Sequence, residues 1–122
     1  MSHPIEGQVL LLAGAKASVA SDRLPALVER AQEALGPRLE EYHRRYECAH
    51  EGETTRYFFV PDDHWETIGD RLSLDRRETD ALRRVHEEQL KRLGKRLGRR
   101  EEFETALDLR SAVVVGTASE SS

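Results

Sequence analysis

A chain of 122 residues with 38% hydrophobic and 34% charged side chains is long enough for one hydrophobic core and fits a single domain. The net charge is −4, from 16 Arg and 3 Lys against 23 acids. The single cysteine, Cys48, excludes an intrachain disulfide, and the longest apolar run, Val9 to Ala15, is far short of the roughly 20 residues a bilayer-spanning helix takes.

The start, MSHPIEGQ, holds Glu6 and no Lys or Arg, so it lacks the positive segment of a secretory signal, and the expected location is the cytoplasm. Ile5, Val9, Leu12, Ala13 and Lys16 recur at helical spacing, with Leu10 and Leu11 widening the face. That nearly all-apolar helix is expected at the centre of the core. Ser21-Asp22 then offers a cap and Pro25 suits a first turn. Leu24, Leu27, Val28, Ala31 and Leu35 form the stripe of the second helix, which Gly36-Pro37 ends or kinks. A third helix over 37–46 puts Leu39, Tyr42, His43 and Tyr46 on one face. The period then shortens to two, and RYFFV at 56–60 reads as a strand paired with a first strand across the HEGET turn. Asp62-Asp63 with Glu66 resembles a capping box for a short helix. Ser73-Leu74-Asp75 is a tight connection, and Asp75 caps a long helix beginning near Arg76. A last helix spans about 101–111. Ala112 to Val115 is either a strand added to the hairpin or an apolar tail. The expected fold is α+β, mainly α: five or six helices around one core, a helix-turn-helix-like hairpin at 63–98, and a small antiparallel β-hairpin near 45–60. Residues 1–116 form one globular domain and 117–122 a disordered tail.

The 63–98 stretch carries the functional expectation. Ile68, Gly69, Leu72, Ser73 and Leu74 follow the order of a helix-turn-helix: apolar, small, apolar, turn, apolar. Its second helix would offer Arg76, Arg77, Arg83 and Arg84 to base edges or phosphates. Residues 71–100 hold 11 bases and 5 acids, whereas the rest of the chain is net negative. Lys91, Arg92, Lys95, Arg96, Arg99 and Arg100 would neutralise phosphates. Two features depart from the pattern: Ser73 stands where Gly is common, and Glu78, Asp80, Glu87 and Glu88 would repel phosphate. An ordinary helical hairpin with a solvated charged face has the same spacing. The alternative is a non-catalytic interaction module. Leu82, His86, Leu90, Leu93 and Leu97 approach a heptad seam about two heptads long, suited to a homodimer or a docked partner. The candidate partners are therefore double-stranded nucleic acid, a second copy of the chain, or an acidic protein face, with no membrane.

Chemistry-bearing motifs are weak. His43, Cys48, His50 and His64 are zinc-ligand types within 22 residues, but their spacing fits no closed zinc pattern, and no metal site is assigned. AGAKAS at 13–18 lacks the glycine and the residue order of a phosphate loop. No nucleophile elbow or acid–base pair stands out, so no catalytic residue and no cofactor is expected.

LPALVERAQ, YEC before the hairpin, VPDDHW, LRRVHEEQLKRLG and RREEFETAL run through the segment from Leu24 to Leu109. This segment resembles small uncharacterised cytoplasmic proteins of halophilic archaea. The resemblance implies a cytoplasmic, salt-adapted setting, with which the Arg-rich, Lys-poor, acidic composition agrees. It implies no activity.

Overall fold

The computed structural model describes residues 5–16, 19 and 22–117. Its elements run α1 (Gly7–Lys16), α2 (Leu24–Leu35), a 3-10 turn (Gly36–Arg38), α3 (Leu39–Arg45), β1 (Glu47–Glu51), β2 (Thr55–Val60), α4 (His64–Arg71), α5 (Arg76–Leu97), α6 (Arg100–Leu109) and β3 (Ser111–Gly116). The mainly helical α+β class stands, with a three-stranded antiparallel sheet in the order β1-β2-β3. The 112–115 segment is a strand: β3 pairs with β2 from Thr55↔Gly116 to Val60↔Ser111. Among the described residues no helix is long and apolar enough to cross a membrane.

Alternation along β2 splits its side chains between two layers. Phe58 turns to α3, where it meets Tyr42 at a ring separation of 5.6 Å. Phe59 turns to α6, where it meets Phe103 at 5.9 Å. Tyr57 reaches the buried Gln89 of α5. The three β3 valines are fully buried.

The outer edge of β3 would be a liability if left open. Side chains of three helices close it instead. Gln32 of α2 acts as a substitute peptide unit: its Nε2 donates to the Val114 carbonyl at 2.7 Å, and its Oε1 accepts from the Gly116 amide at 2.9 Å. Trp65 of α4 donates to the Ala112 carbonyl at 2.9 Å. The Val114 amide donates to Nδ1 of His86 in α5 at 2.9 Å. An accepting Nδ1 requires the ring proton on Nε2, so His86 is a neutral imidazole, its ring tilted against Trp65 at a centroid separation of 4.6 Å.

Several local expectations change. α1 lies at the surface: Ile5, Val9 and Ala13 are buried, but Leu11 is 69% exposed and Leu12 49%. One stripe suffices because α5 and α2 flank a single side of this helix. Ser21 lies outside the described residues. The N-cap position of α2 is Arg23, with no side-chain cap, and Pro25 sits in the first turn as expected. The Asp62-Asp63 box does not form, because Asp63 makes no capping bond. The box forms at α5 instead: the Glu78 amide donates to Asp75 at 2.8 Å, and Glu78 accepts from the Asp75 amide at 3.0 Å. Thr117 donates its amide to Thr54, so the hairpin holds the first residue of the expected tail. Residues 118–122 of that tail lie outside the described residues.

Candidate functional site

The expected two-helix unit is present as α4, a turn at 72–75, and α5. Ile68 and Gly69 are buried on α4, and Leu82 and Val85 on α5. Gly69 is where the helices touch: a Cβ there would overlap the Thr79 hydroxyl and lie 3.1 Å from the Thr79 Cβ. Ser73 adopts a left-handed conformation with φ 59°, the geometry glycine takes without cost. The position at which Ser73 stands in place of the common Gly is thus one of positive φ.

The apolar stripe of α5 belongs to the core. Leu82, His86 and Leu90 have no exposed surface and Leu93 is 9% exposed; only Leu97, at 41%, reaches solvent. Of the residues expected at an interface, Leu82, His86, Leu90 and Leu93 thus line the chain's own core. The sheet and the neighbouring helices of the same chain pack around α5. Gly94 admits α6. A Cβ there would lie 2.8 Å from the Phe103 ring and 3.3 Å from the Arg100 Cα.

The bases divide by what they hold. Arg76, Arg77 and Lys95 are exposed and have no carboxylate within ion-pair distance among the described residues. Arg83 and Arg84 both bind Asp80, at 3.1 and 2.9 Å. Burial alone would raise the Asp80 carboxyl, but hydrogen bonds from Arg84 and Arg83 bring it below the ordinary range. Lys91 pairs with Glu88 at 3.5 Å. Arg92 and Arg96 reach across to Glu6, at 2.9 and 2.5 Å, where Gln89 also binds. Glu6 thus joins the start of α1 to α5. Arg99 holds Glu102 and Arg100 holds Glu104. The phosphate-neutralising block expected at 91–100 is therefore largely spent within the chain, and Lys95 alone of the six keeps no acidic partner among the described residues.

An open cleft of about 800 Å³ lies where α4 meets the start of α5. Its walls carry Arg76, Arg77, Arg83, Arg84 and Lys16, matched by Asp62, Glu66, Asp70, Asp75 and Asp80. A wall with equal numbers of each sign does not focus a single-sign field.

A second group assembles where α3 meets β1. His43, Cys48 and Glu51 bring one donor atom each within 4.8 Å of one another. Neither His50 nor His64 joins them. His50 pairs across the sheet with Tyr57, on the opposite face. His64 shares a 2.5 Å hydrogen bond with the buried Tyr42 hydroxyl. Burial lowers the His64 pKa, and Arg71 and Arg45 add to the effect. Burial also pushes the Tyr42 phenol well above its ordinary value. Glu51 was missed from the sequence because a residue three beyond Cys48 on a regular strand points the other way. Only the irregular register between Cys48 and His50 signals otherwise, and it is visible in three dimensions alone.

No curated protein and no solved structure matches the chain. A family model described as Domain of unknown function (DUF8048) matches residues 3–117. The chain belongs to that family.

Proposed function

We propose that the protein binds double-stranded nucleic acid through the α4–α5 hairpin, as a non-enzymatic regulator of helix-turn-helix type. The observation that carries this reading is the division of α5 into two faces. Its apolar stripe is buried, and Arg76, Arg77 and Arg84 stand in solvent at the start of the helix. Arg77, Arg84 and Lys91 recur every seven residues, so they follow one line along the helix with a drift of only ~20° per step. The left-handed Ser73 and the Gly69–Thr79 approach support the same reading, since a short turn of this kind seats a second helix close on the first.

The footprint is smaller than the sequence suggested. With most of 91–100 paired internally and Arg84 held by Asp80, Arg76, Arg77 and Lys95 remain for about three phosphates, which corresponds to a log K versus log salt slope of about −2.7. The salt-adapted setting implied by the resemblance weakens such contacts further, so the titration begins at low salt. Fluorescence anisotropy on a random duplex is expected to show binding that falls with this slope. Arg76→Ala with Arg77→Ala should reduce the slope by about 1.8. Absence of duplex binding at low salt overturns the reading.

The mixed charge of the cleft favours a second reading, docking of a protein partner whose face carries both signs. Retained partner capture by the Arg76→Ala, Arg77→Ala protein, with no duplex affinity in the wild type, is the result that reading requires.

A further inference from the structure

We propose that His43, Cys48 and Glu51 bind one divalent cation of the zinc class, through imidazole, thiolate and carboxylate. The site is built from α3 and β1 and uses none of the hairpin residues.

The β-bulge is what makes the set. Cys48 pairs with Phe58, while Glu51 pairs with Arg56. Phe58 and Arg56 are two apart on β2 and share a face. Cys48 and Glu51 therefore share that face as well, although they are three apart in sequence. The extra residue, Ala49, lies between Cys48 and His50 where the register shifts, and it reverses the alternation. α3 covers the same face: His43 sets its ring edge-on to Phe58 at 5.0 Å. His43 lies in the last turn of α3, beside the strand that supplies the other two donors.

The donors are only weakly engaged elsewhere. The Cys48 thiol points to the carbonyl of His50 at 3.6 Å. Glu51 lies 3.9 Å from Arg56, at the outer limit of an ion pair. His43 makes no hydrogen bond with another described residue. A tetrahedral zinc site with bonds near 2.0–2.3 Å separates its donor atoms by roughly 3.3–3.8 Å. The present separations, all within 4.8 Å, close to that range through side-chain rotation. One sulfur, one nitrogen and one oxygen donor suit zinc or cobalt over magnesium or calcium, which favour oxygen alone. Three protein ligands leave the fourth position to water. Binding breaks the Cys48 S–H bond: the sulfur keeps the electron pair as the metal ligand, and the proton passes to solvent.

Cobalt(II) reports directly on the sulfur. Titration of the full chain with cobalt(II) is expected to give a thiolate-to-metal charge-transfer band and the visible bands of a tetrahedral ion, saturating at one equivalent. Zinc should displace both. Cys48→Ser should abolish the charge-transfer band. His43→Ala and Glu51→Gln, at exposed positions, should each weaken zinc binding by at least about tenfold in competition, with the far-UV circular dichroism of the fold retained. His50→Ala should leave affinity unchanged. No charge-transfer band in the wild type overturns the proposal, as does zinc affinity that survives both His43→Ala and Glu51→Gln. Loss of binding in His50→Ala overturns this ligand set in favour of one containing His50.

Discussion

Gly69 of α4 lies directly against the Thr79 side chain of α5, with no room between them for a methyl group. Thr79 cannot simply swing aside, because its hydroxyl donates to the Asp75 carbonyl at 2.8 Å. Gly69→Ala is expected to destabilise the fold by about 1–3 kcal/mol, the usual cost of forcing extra volume into a packed contact. The Gly69→Ala, Thr79→Ala double variant should recover part of that loss. Urea denaturation of the four proteins of the cycle gives the coupling between the two positions.

Ser73 tests the turn from the opposite direction. An L-residue in the left-handed region costs roughly 1–2 kcal/mol, partly offset by the entropy a glycine would lose. With φ at 59°, Ser73→Gly is expected to stabilise the protein by about 0.5–1 kcal/mol. An increase in the urea midpoint with an unchanged slope is the expected result. Ser73→Pro should be strongly destabilising, since proline cannot take a positive φ.

Gln32 closes the sheet edge with a donor and an acceptor at once. Gln32→Ala leaves a strand carbonyl and a strand amide without their side-chain partner, at a cost of about 1–3 kcal/mol. Gln32→Glu keeps the acceptor for Gly116 but turns a carboxylate oxygen towards the Val114 carbonyl, so it should be the more damaging change at neutral pH. Hydrogen exchange at the Gly116 amide should accelerate in Gln32→Ala.

Two half-buried groups, Glu87 and His64, give opposite pH slopes. Burial raises the Glu87 carboxyl above its ordinary value, and the Ser111 hydroxyl and Arg83 only partly offset this. The folded chain therefore holds this proton more tightly than the unfolded chain. The resulting stability is full below the unfolded carboxyl pKa and is lost as pH rises through the folded value. His64 is lowered by burial, so its contribution is full above the unfolded histidine pKa and is lost as pH falls through the folded one. Glu87→Gln should remove the first slope and leave the second. Denaturation midpoints measured from about pH 4 to 7.5 separate them.

Helix positions were legible in the sequence wherever a stripe was long and well punctuated. The 3.6-residue repeat of Leu24 to Leu35 and of Leu82 to Leu93 survives as buried stripes, and Pro25 and Asp75 mark their starts. The second strand was equally legible, because aromatic and β-branched residues run unbroken to Pro61. The first helix misled because apolar residues on all sides do not say which side is covered. Neighbours decide that, and α1 has them on one side only.

By itself, the sequence determined the mainly helical α+β class, the α4–α5 unit and the concentration of bases in 71–100, since each depends on local order along the chain. Only the tertiary structure decided what those groups do. Whether a leucine stripe is core or interface depends on what packs over it, and here that is the chain's own sheet. Whether an arginine is free depends on carboxylates distant in sequence, such as Glu6 beside Arg92 and Arg96. Whether Cys48 meets Glu51 depends on one bulged residue, which reverses the face of everything beyond it.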